Sequence, residues 1–194
     1  MLFRSPGNSR EANLLVHYPD LFTPQGVEAI KRDLSRIPPH AAELSSGLRT
    51  DYRRVTTRDF GVGYNWIIDP IVDVVVAAND QAFGFHIDGV AEGLNYLVYE
   101  TAGDHYRRHI DIHMADIHSD RANRKLTYVL QLSEPDEYEG CDLVLDGGAD
   151  AGMPIPRDCG GLSIFPAFMA HEVTPLVRGA RHSIVGWVHG DAWR

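Results

Sequence analysis

The chain has 194 residues, 44% of them hydrophobic and 23% charged, which is the composition of an ordinary globular protein of one domain. Its net charge of −9 repels a phosphate backbone on average and so disfavours a nucleic-acid partner. No apolar run has the length of a membrane span, and residues 1–6 lack the apolar segment of a secretion signal, so we expect a cytoplasmic protein without a membrane partner. Cys141 and Cys159 do not have the pattern of a disulfide framework.

The first predicted helix follows a short strand over residues 13–18. Thr23 can cap its N-terminus, and Pro24 suits the first turn because the first helical N–H needs no partner within the helix. Apolar residues then recur at helical spacing until Pro38 and Pro39 end the helix. The apolar positions are Val27, Ile30, Leu34 and Ile37.

A second helix is predicted over residues 69–83, which begin with an Asp-Pro pair. It follows a polar loop at residues 41–48 and a strand rich in Thr, Val and Arg at residues 51–59. We expect three aromatic residues to pack around this helix rather than to line a substrate site, namely Tyr64, Trp66 and Phe83. The inward positions are Ile71, Val74, Val75, Ala78 and Phe83.

From residue 94 onward the pattern changes to short runs of β-branched and aromatic residues between clusters of Gly, Pro and Asp, which predicts a sandwich or barrel. Helices first and strands later indicate a mainly β fold, a jelly roll buttressed by N-terminal helices. We expect a single domain over residues 1–194, with the helical buttress over about 1–92 and the jelly-roll core over about 93–190. The predicted strands cover residues 94–99, 106–113, 125–132, 141–145, 162–165, 171–176 and 182–188.

His109, Asp111 and His171 have the residue types of a non-haem iron(II) site. Alternation along a strand places His109 and Asp111 on one side, and His171, at the start of a later apolar strand, can supply the third ligand. Two neutral imidazoles and one carboxylate cover one face of an iron ion and leave the opposite face open for a co-substrate and O₂. The sequence therefore predicts an iron centre.

The histidines also allow a zinc interpretation. His105, His109 and His113 are spaced i, i+4, i+8 and would align on one face of a helix. The β-rich neighbourhood favours a strand instead, and no Glu follows in the HExxH manner. We expect His105, His113 and His118 to be solvated or to lie outside the ligand set, with His113 the strongest rival ligand because it shares the strand face of Asp111.

Arg181 and Ser183 follow His171 at a distance that suits a carboxylate clamp. They share one strand face, so guanidinium and hydroxyl can converge on one end of a dicarboxylate such as 2-oxoglutarate. Val185 and Trp187 continue that face inward. The alternative interpretation makes Arg181 a surface charge after the preceding Gly-Ala turn.

Four spaced motifs occur in order along residues 94–188, about half of the chain. They are Tyr99-x3-Gly103-x2-Tyr106-x2-His109-x-Asp111, Arg124-x-Leu126-Thr127, Gly161-x3-Phe165-Pro166-x4-His171-Glu172-Val173-x-Pro175 and Gly179-x-Arg181-x-Ser183-x3-Trp187. Together they resemble the catalytic domain of prolyl 4-hydroxylase-like 2-oxoglutarate/Fe(II)-dependent oxygenases.

This resemblance implies a double-stranded β-helix, with iron on His109, Asp111 and His171 and the distal carboxylate of 2-oxoglutarate on Arg181. It also implies Fe(II), 2-oxoglutarate and O₂ as cofactors, with ascorbate as a further candidate. The other candidate contacts are Tyr99, Thr127, Gln131 and Ser183 for the co-substrate, and Tyr106, Trp187, Arg124 and Arg53 for the substrate. For Arg53, Arg54 and Arg124, a solvated surface position is the favoured alternative.

The implied activity is hydroxylation of an unactivated C–H bond, above all of a prolyl residue in a peptide or protein. A free amino acid or another small metabolite is the alternative substrate. Gly140-Cys141-Asp142-Leu143 stands where many relatives have Gly-Gly-Glu-Leu, a change that affects a turn more than the chemistry, and a long polar loop at residues 114–123 would overhang the site. The rival functions are a cupin-like metalloprotein that does not use 2-oxoglutarate and a non-enzymatic binding protein, whereas net acidity disfavours an AlkB-like nucleic-acid demethylase.

Overall fold

The computed structural model describes residues 14–42, 47, 49–112, 123–148 and 152–193. Within these residues the α-helices are α1 (Pro24–Leu34) and α2 (Asn65–Ala78), and a π-helical segment covers Asn79–Phe83. The strands are β1 (Val16–Tyr18), β2 (His40–Ala41), β3 (Arg53–Arg54), β4 (Thr56–Phe60), β5 (Ile87–Gly89), β6 (Leu94–Tyr99), β7 (His105–His109), β8 (Arg124–Gln131), β9 (Tyr138–Gly140), β10 (Leu143–Leu145), β11 (Met153–Pro154), β12 (Leu162–Pro166), β13 (His171–Val173), β14 (Leu176–Gly179) and β15 (Arg181–Gly190).

The prediction of α1 is confirmed. The hydroxyl of Thr23 accepts a hydrogen bond from the backbone N–H of Gly26 at 3.2 Å, which satisfies one of the free donors at the N-terminus. The predicted apolar stripe is buried at Val27, Ile30 and Leu34. This stripe attaches the helix to the sheet behind it.

The second helix begins four residues before its predicted start, whereas its predicted end at Phe83 coincides with the end of the π-helical segment. α2 begins at Asn65, so Pro70 lies inside the helix, where it removes one backbone hydrogen bond. The extra turn buries Ile67 completely, which offsets that loss. At the other end the helix widens into the π-helical segment, where the buried side-chain amide of Asn79 bonds the backbone of Phe85 at 2.9 and 3.0 Å.

Two sheets face each other. The larger has the strand order β1-β12-β8-β15-β6-β4-β2, with β5 paired to β15, and the smaller has the order β11-β10-β13-β7-β3. A two-stranded ribbon, β14-β9, lies at one end. The paired strands are antiparallel throughout, and this arrangement confirms the expected jelly roll, a double-stranded β-helix.

The described residues form two hydrophobic cores. One is formed by α1, α2 and the outer face of the larger sheet, and includes Ile30, Ile71 and Leu130. The other lies between the sheets and includes Tyr99, Leu145 and Phe165. The first core supports the sheet from behind, and the second surrounds the space that holds the candidate site.

The seven strands predicted from residue 94 onward are all present; the first has its predicted ends, and the ends of the others are shifted. Sequence patterns missed the short strands β2, β5, β9 and β11, and the run at residues 171–176 is divided between β13 and β14. Trp66 does not pack as expected, because it is 44% exposed. Most of the predicted loops at residues 41–48 and 114–123 lies outside the described residues.

The N-terminal part of the chain supplies strands as well as helices. β1, β2 and β4 join the larger sheet, and β3 joins the smaller one. The division into a helical buttress and a jelly-roll core within one domain stays a prediction. Among the described residues, no helix combines the length and the apolar character needed to cross a lipid bilayer.

Candidate active site

A cavity of about 830 Å³ lies between the two sheets. Its larger-sheet wall carries side chains of β4, β6, β8 and β15, and its smaller-sheet wall carries side chains of β3, β7, β10 and β13. All the predicted site residues except Gln131 line it, namely Arg53, Tyr99, Tyr106, His109, Asp111, Arg124, Thr127, His171, Arg181, Ser183 and Trp187. Gln131 lies directly behind Arg181.

We call the three predicted metal ligands, His109, Asp111 and His171, the triad. The smaller sheet brings its two histidines together. His109 on β7 and His171 on β13 are direct partners in an antiparallel pair, and their ring centroids are 4.2 Å apart. Asp111 follows β7, so it lies past the end of the strand on which alternation had placed it. Its Oδ1 is 3.6 Å from Nε2 of His109, and its Oδ2 is 3.5 Å from Nε2 of His171.

Backbone carbonyls fix both imidazoles. Nδ1 of His109 bonds the carbonyl of Arg107 at 2.8 Å, and Nδ1 of His171 bonds the carbonyl of Met169 at 2.9 Å. Because a carbonyl only accepts, each Nδ1 carries the proton and each Nε2 presents its lone pair to the centre. Burial lowers the pKa of His171, which favours the neutral form that binds a metal.

Asp111 is held by three hydrogen bonds. Its backbone N–H donates to the carbonyl of Ala167 at 3.0 Å, its carbonyl accepts from Nη1 of Arg124 at 3.1 Å, and its Oδ2 accepts from the hydroxyl of Thr127 at 2.6 Å. Burial opposes ionisation of Asp111, but His171, His109 and the Thr127 hydroxyl together hold its pKa well below the usual range. The candidate ligand set is therefore two imidazole nitrogens and one carboxylate.

These three residues fit a divalent transition metal. Their ligand atoms all lie within 4.8 Å of one another, and the donor set is that of the 2-His-1-carboxylate iron sites. A second group of possible ligands among the described residues, His86, Asp88 and Asp191, is fully on the surface. Burial and fixed tautomers distinguish the predicted triad from this exposed group.

Arg124 is buried, with 4% of its surface exposed, so the prediction that it is solvated was wrong. Glu92 pairs with it through two hydrogen bonds, Nε to Oε1 at 2.7 Å and Nη2 to Oε2 at 2.5 Å. Its guanidinium lies 3.6 Å from the ring centroid of Trp187. His189 also bonds Glu92, at 2.9 Å. Burial opposes ionisation of Glu92, but the hydrogen bonds of His189 and Arg124 lower its pKa to about 2.

Sequence reasoning missed Glu92 and His189. Glu92 lies in the turn before β6 and His189 near the end of β15, and neither belongs to a motif. Their only sequence signal is charge close to apolar strands, which is common on protein surfaces. His189 comes next to Arg124 because β8 and β15 are paired, and Glu92 because β6, which it precedes, lies on the other side of β15.

Arg181 lies at the other end of the cavity, opposite Tyr99 in the β15–β6 pair. It is 3% exposed, and its Nε donates to Oε1 of Gln131 at 3.1 Å. Among the described residues no carboxylate forms an ion pair with it. The thiol of Cys141 lies near its guanidinium, but burial raises the pKa of that thiol to about 11, so the thiol is neutral and supplies no counter-charge.

The turn before β10 accounts for the position of this thiol. Cys141 adopts a φ of 55°, a left-handed conformation that is uncommon for a residue with a Cβ. Gly140 before it also has a positive φ, of 70°. A changed turn is expected from the sequence, because Cys141 stands where many relatives have a glycine. The change places a buried Cys141 side chain beside Arg181, where a glycine would leave space.

The substrate-side candidates flank the metal end. The ring of Tyr106 stacks on His109 with centroids 3.6 Å apart, and Arg53 lies 4.6 Å from the centroid of Tyr106 on the outer side. Trp187 is the cross-strand partner of Thr127, so it stands beside Asp111 on the larger sheet. An aromatic face therefore lies on each wall next to the triad.

The remaining predictions divide between described and undescribed residues. Residues 105–109 form a strand, which confirms the favoured prediction and excludes the alternative of a helical zinc face. His105 bonds the carbonyls of Gly103 and Asp51 and stays outside the triad. Arg54 pairs with Asp104 at 2.9 Å. His113 and His118 lie outside the described residues.

The sequence profile of the 2OG-Fe(II) oxygenase superfamily matches residues 94–189. A PKHD-type hydroxylase of Prochlorococcus marinus is 35% identical over 188 residues, which cover 91% of this chain and 77% of the relative. A PKHD-type hydroxylase of Synechococcus elongatus is 36% identical over 86 residues, or 44% of this chain. That alignment spans only 38% of the length of the relative.

Solved structures with the same fold include prolyl hydroxylases. A Pseudomonas putida prolyl-4-hydroxylase has a TM-score of 0.73 at 19% identity, covering 92% of this chain and 94% of its own. A Trichoplax adhaerens prolyl hydroxylase, solved with a peptide of the hypoxia inducible factor oxygen degradation domain, has a TM-score of 0.74 at 17% identity, covering 91% and 84%. At these identities the similarity shows the fold.

Proposed function

Because the chain belongs to the 2OG-Fe(II) oxygenase superfamily, we propose that it hydroxylates an unactivated C–H bond of a prolyl residue in a peptide or protein. The superfamily uses Fe(II), 2-oxoglutarate and O₂, and ascorbate is a further candidate reductant. A cytoplasmic location and the lack of a nucleic-acid partner stay predictions. One feature of the cavity supports the proposal more than any other, the isolated charge of Arg181.

A buried cation without a counter-ion costs several kcal/mol, so its charge calls for an anion from outside the described chain. Arg181 has neutral neighbours, Gln131 and Cys141, and its Nε is already engaged. The two Nη groups remain for a carboxylate, which a guanidinium fork binds with two parallel hydrogen bonds. Ser183 lines the cavity on the same strand face and can add a hydroxyl to the same oxygens.

The triad stands in the same cavity as Arg181. His109, Asp111 and His171 would hold the metal on one side, leaving the side toward the cavity for the keto-acid end of 2-oxoglutarate. When bound, the iron supplies the activation of O₂, coupled to decarboxylation of 2-oxoglutarate, that hydroxylation of a C–H bond requires. The chain itself orients the metal and 2-oxoglutarate and excludes water from the end of the cavity around Arg181, where Tyr99 is fully buried.

Aromatic walls support a prolyl substrate. Tyr106 and Trp187 flank the triad from opposite sheets, and a pyrrolidine ring packs well between such faces. Relatives are named PKHD-type hydroxylases, and one structural neighbour was solved with a peptide. These similarities favour a peptide or protein over other substrates.

A free amino acid is the second candidate substrate. Arg53 lies on Tyr106 at the cavity wall, and no described carboxylate forms an ion pair with it. It could therefore hold the carboxylate of a small substrate. Succinate release with prolyl peptides, compared with free proline, separates the two candidates.

An anaerobic titration with Fe(II) and then 2-oxoglutarate tests the proposal. We expect a visible metal-to-ligand charge-transfer band in the wild type, and about a hundredfold higher 2-oxoglutarate requirement in Arg181→Ala, since a charge-assisted fork is lost. Arg178→Ala is the matched control, because Arg178 is an exposed arginine paired with Glu139. Iron binding without a band at any 2-oxoglutarate concentration would favour a cupin-like protein, and failure to bind iron would refute the triad.

A further inference from the structure

A chain of hydrogen bonds runs from Arg181 away from the cavity. Oε1 of Gln131 accepts from Nε of Arg181 at 3.1 Å. The amide nitrogen of Gln131 donates to the hydroxyl oxygen of Tyr138 at 2.8 Å and to the carbonyl of Ser133 at 3.3 Å. The three side chains of Arg181, Gln131 and Tyr138 are buried, so these bonds form without competition from bulk water.

Arg157 holds the far end of this chain. Its Nε donates to the hydroxyl oxygen of Tyr138 at 2.9 Å, and its guanidinium carbon lies 3.9 Å from the centroid of the Tyr138 ring. Its Nη2 donates to the carbonyls of Pro135 and Tyr138 at 3.1 and 3.0 Å. Asp142 lies 3.7 Å from Nη1 and balances its charge. Tyr138 is therefore fixed by both its ring and its oxygen.

The close approach of β9 to the start of β15 requires a glycine. Gly179 has a φ of 80° and pairs with Tyr138, and a Cβ at this position would collide with the carbonyl of Glu137. This contact brings the β9 strand, and with it Tyr138, next to the segment that leads into Arg181. The ribbon is thus joined to the clamp through the backbone as well.

The donors and acceptors along this chain of hydrogen bonds determine which way the Gln131 amide is turned. An amide side chain such as Gln131 can present either its oxygen or its nitrogen to a neighbour. The hydroxyl oxygen of Tyr138 accepts from both Arg157 and the amide nitrogen of Gln131, and the carbonyl of Ser133, which can only accept, bonds the same nitrogen. The amide oxygen is then left for Arg181, whereas a flipped amide would set a donor against the donor Nε.

We propose that Tyr138 and Arg157 are positioning residues for the 2-oxoglutarate clamp. They fix the amide of Gln131, which fixes the Nε edge of Arg181 and turns both Nη groups toward the distal carboxylate. The inference rests on the proposed function, because it takes 2-oxoglutarate as the anion. Neither residue lines the cavity, so both act through Gln131 and not by contact with the ligand.

The test is calorimetry of the full-length protein loaded with Mn(II), with 2-oxoglutarate and with 2-oxobutyrate, a 2-oxo acid that has no distal carboxylate. In Tyr138→Phe we expect the dissociation constant of 2-oxoglutarate to rise about tenfold, because the amide nitrogen of Gln131 and Nε of Arg157 lose the oxygen that accepts from both. The constant for 2-oxobutyrate stays at the wild-type value. Arg157→Met changes a partly exposed position, and we expect the same result: weaker binding of 2-oxoglutarate and unchanged binding of 2-oxobutyrate.

A double-mutant cycle shows whether Tyr138 acts through Gln131. In a Gln131→Leu background, Tyr138→Phe should add no further loss of 2-oxoglutarate affinity, because the link is already broken. Arg178→Met, in the same ribbon but exposed, is the control and should leave both dissociation constants unchanged.

Equal weakening of both ligands in Tyr138→Phe and Arg157→Met would overturn the proposal, since it would show general loss of structure. Full additivity in the cycle would overturn it as well. If Arg181→Met bound 2-oxoglutarate weakly and Tyr138→Phe bound it as the wild type does, the positioning role of Tyr138 would be overturned and the clamp would stand. Unchanged 2-oxoglutarate binding in Arg181→Met would instead refute the clamp of the proposed function.

Discussion

Two buried arginines face the same cavity, and they differ in what neutralises them. Arg124, at the metal end, is held by both carboxylate oxygens of Glu92 and donates to the carbonyl of Asp111. Arg181, at the other end, bonds Gln131 and has no carboxylate partner among the described residues. Their exposures are nearly equal, at 4% and 3%.

Burial alone therefore does not distinguish a structural charge from a ligand-binding one. Burying a paired charge such as Arg124 costs less free energy than burying an unpaired one, and the paired guanidinium can hold a neighbouring group in place. An unpaired charge such as Arg181 is tolerated where a ligand supplies the opposite charge. The same reasoning separates the two ends of the cavity: under the proposed function, one end holds a cation and the other holds an anion. Variants at each end should therefore affect different ligands.

Asp111→Ala should have the largest effect of the metal-end variants. It removes the only anionic ligand, so we expect the affinity for Mn(II) to fall at least about a thousandfold, measured by calorimetry. Asp88→Ala, in the exposed group with His86 and Asp191, is the control and should leave that affinity unchanged. If Asp88→Ala abolished binding and Asp111→Ala did not, the metal site would be in the wrong place.

Glu92→Gln should have a smaller effect of two kinds. Without its counter-ion, Arg124 no longer holds the carbonyl of Asp111 firmly, and we expect about a tenfold loss of Mn(II) affinity. The buried unpaired charge should also lower the free energy of unfolding by about 3 kcal/mol, measured in urea. Glu139→Gln breaks an exposed pair with Arg178 and should change neither quantity. Unchanged metal affinity in Glu92→Gln would mean that Arg124 does not brace the metal ligand.

Thr127→Val should have the smallest effect. It removes the hydrogen bond to Oδ2 of Asp111, and we expect about fivefold weaker Mn(II) binding, with the ratio of 2-oxoglutarate to 2-oxobutyrate affinity unchanged. Thr57→Val is a matched control, since Thr57 lines the same cavity and its hydroxyl has no hydrogen-bond partner among the described residues. A changed ratio in Thr127→Val would contradict the separation of the two ends.

Local patterns were sufficient where local forces decide the structure. The cap at Thr23 and the stripe of α1 were predictable because capping and amphipathic spacing act within a few residues. The strand at Leu94–Tyr99 was predicted with its correct ends. Pro70 was read as a helix start because the burial that draws Asn65–Asp69 into α2 comes from distant residues.

The candidate site could be predicted in its residue types but not in its supports. His109, Asp111, His171 and Arg181 belong to spaced motifs, so a resemblance between sequences can identify them. Their roles as ligands and clamp stay predictions, although the structure brings the three metal candidates together. Supports such as Glu92 and Tyr138 come from strand pairings between distant segments, and no local spacing records such pairings.

The supports of the triad belong to both layers of the sandwich. His109 and His171 are on the smaller sheet, while Asp111 is tied to Thr127 and Arg124 on the larger one. All three ligands lie on or directly after strands of the smaller sheet, and the larger sheet holds the carboxylate in place, so an ion that binds all three depends on both layers. By mass action, each tenfold excess of free metal over its dissociation constant adds about 1.4 kcal/mol to the resistance of the protein to unfolding. The metal supply of the cell would then influence how long the protein survives proteolysis, as well as how fast it turns over.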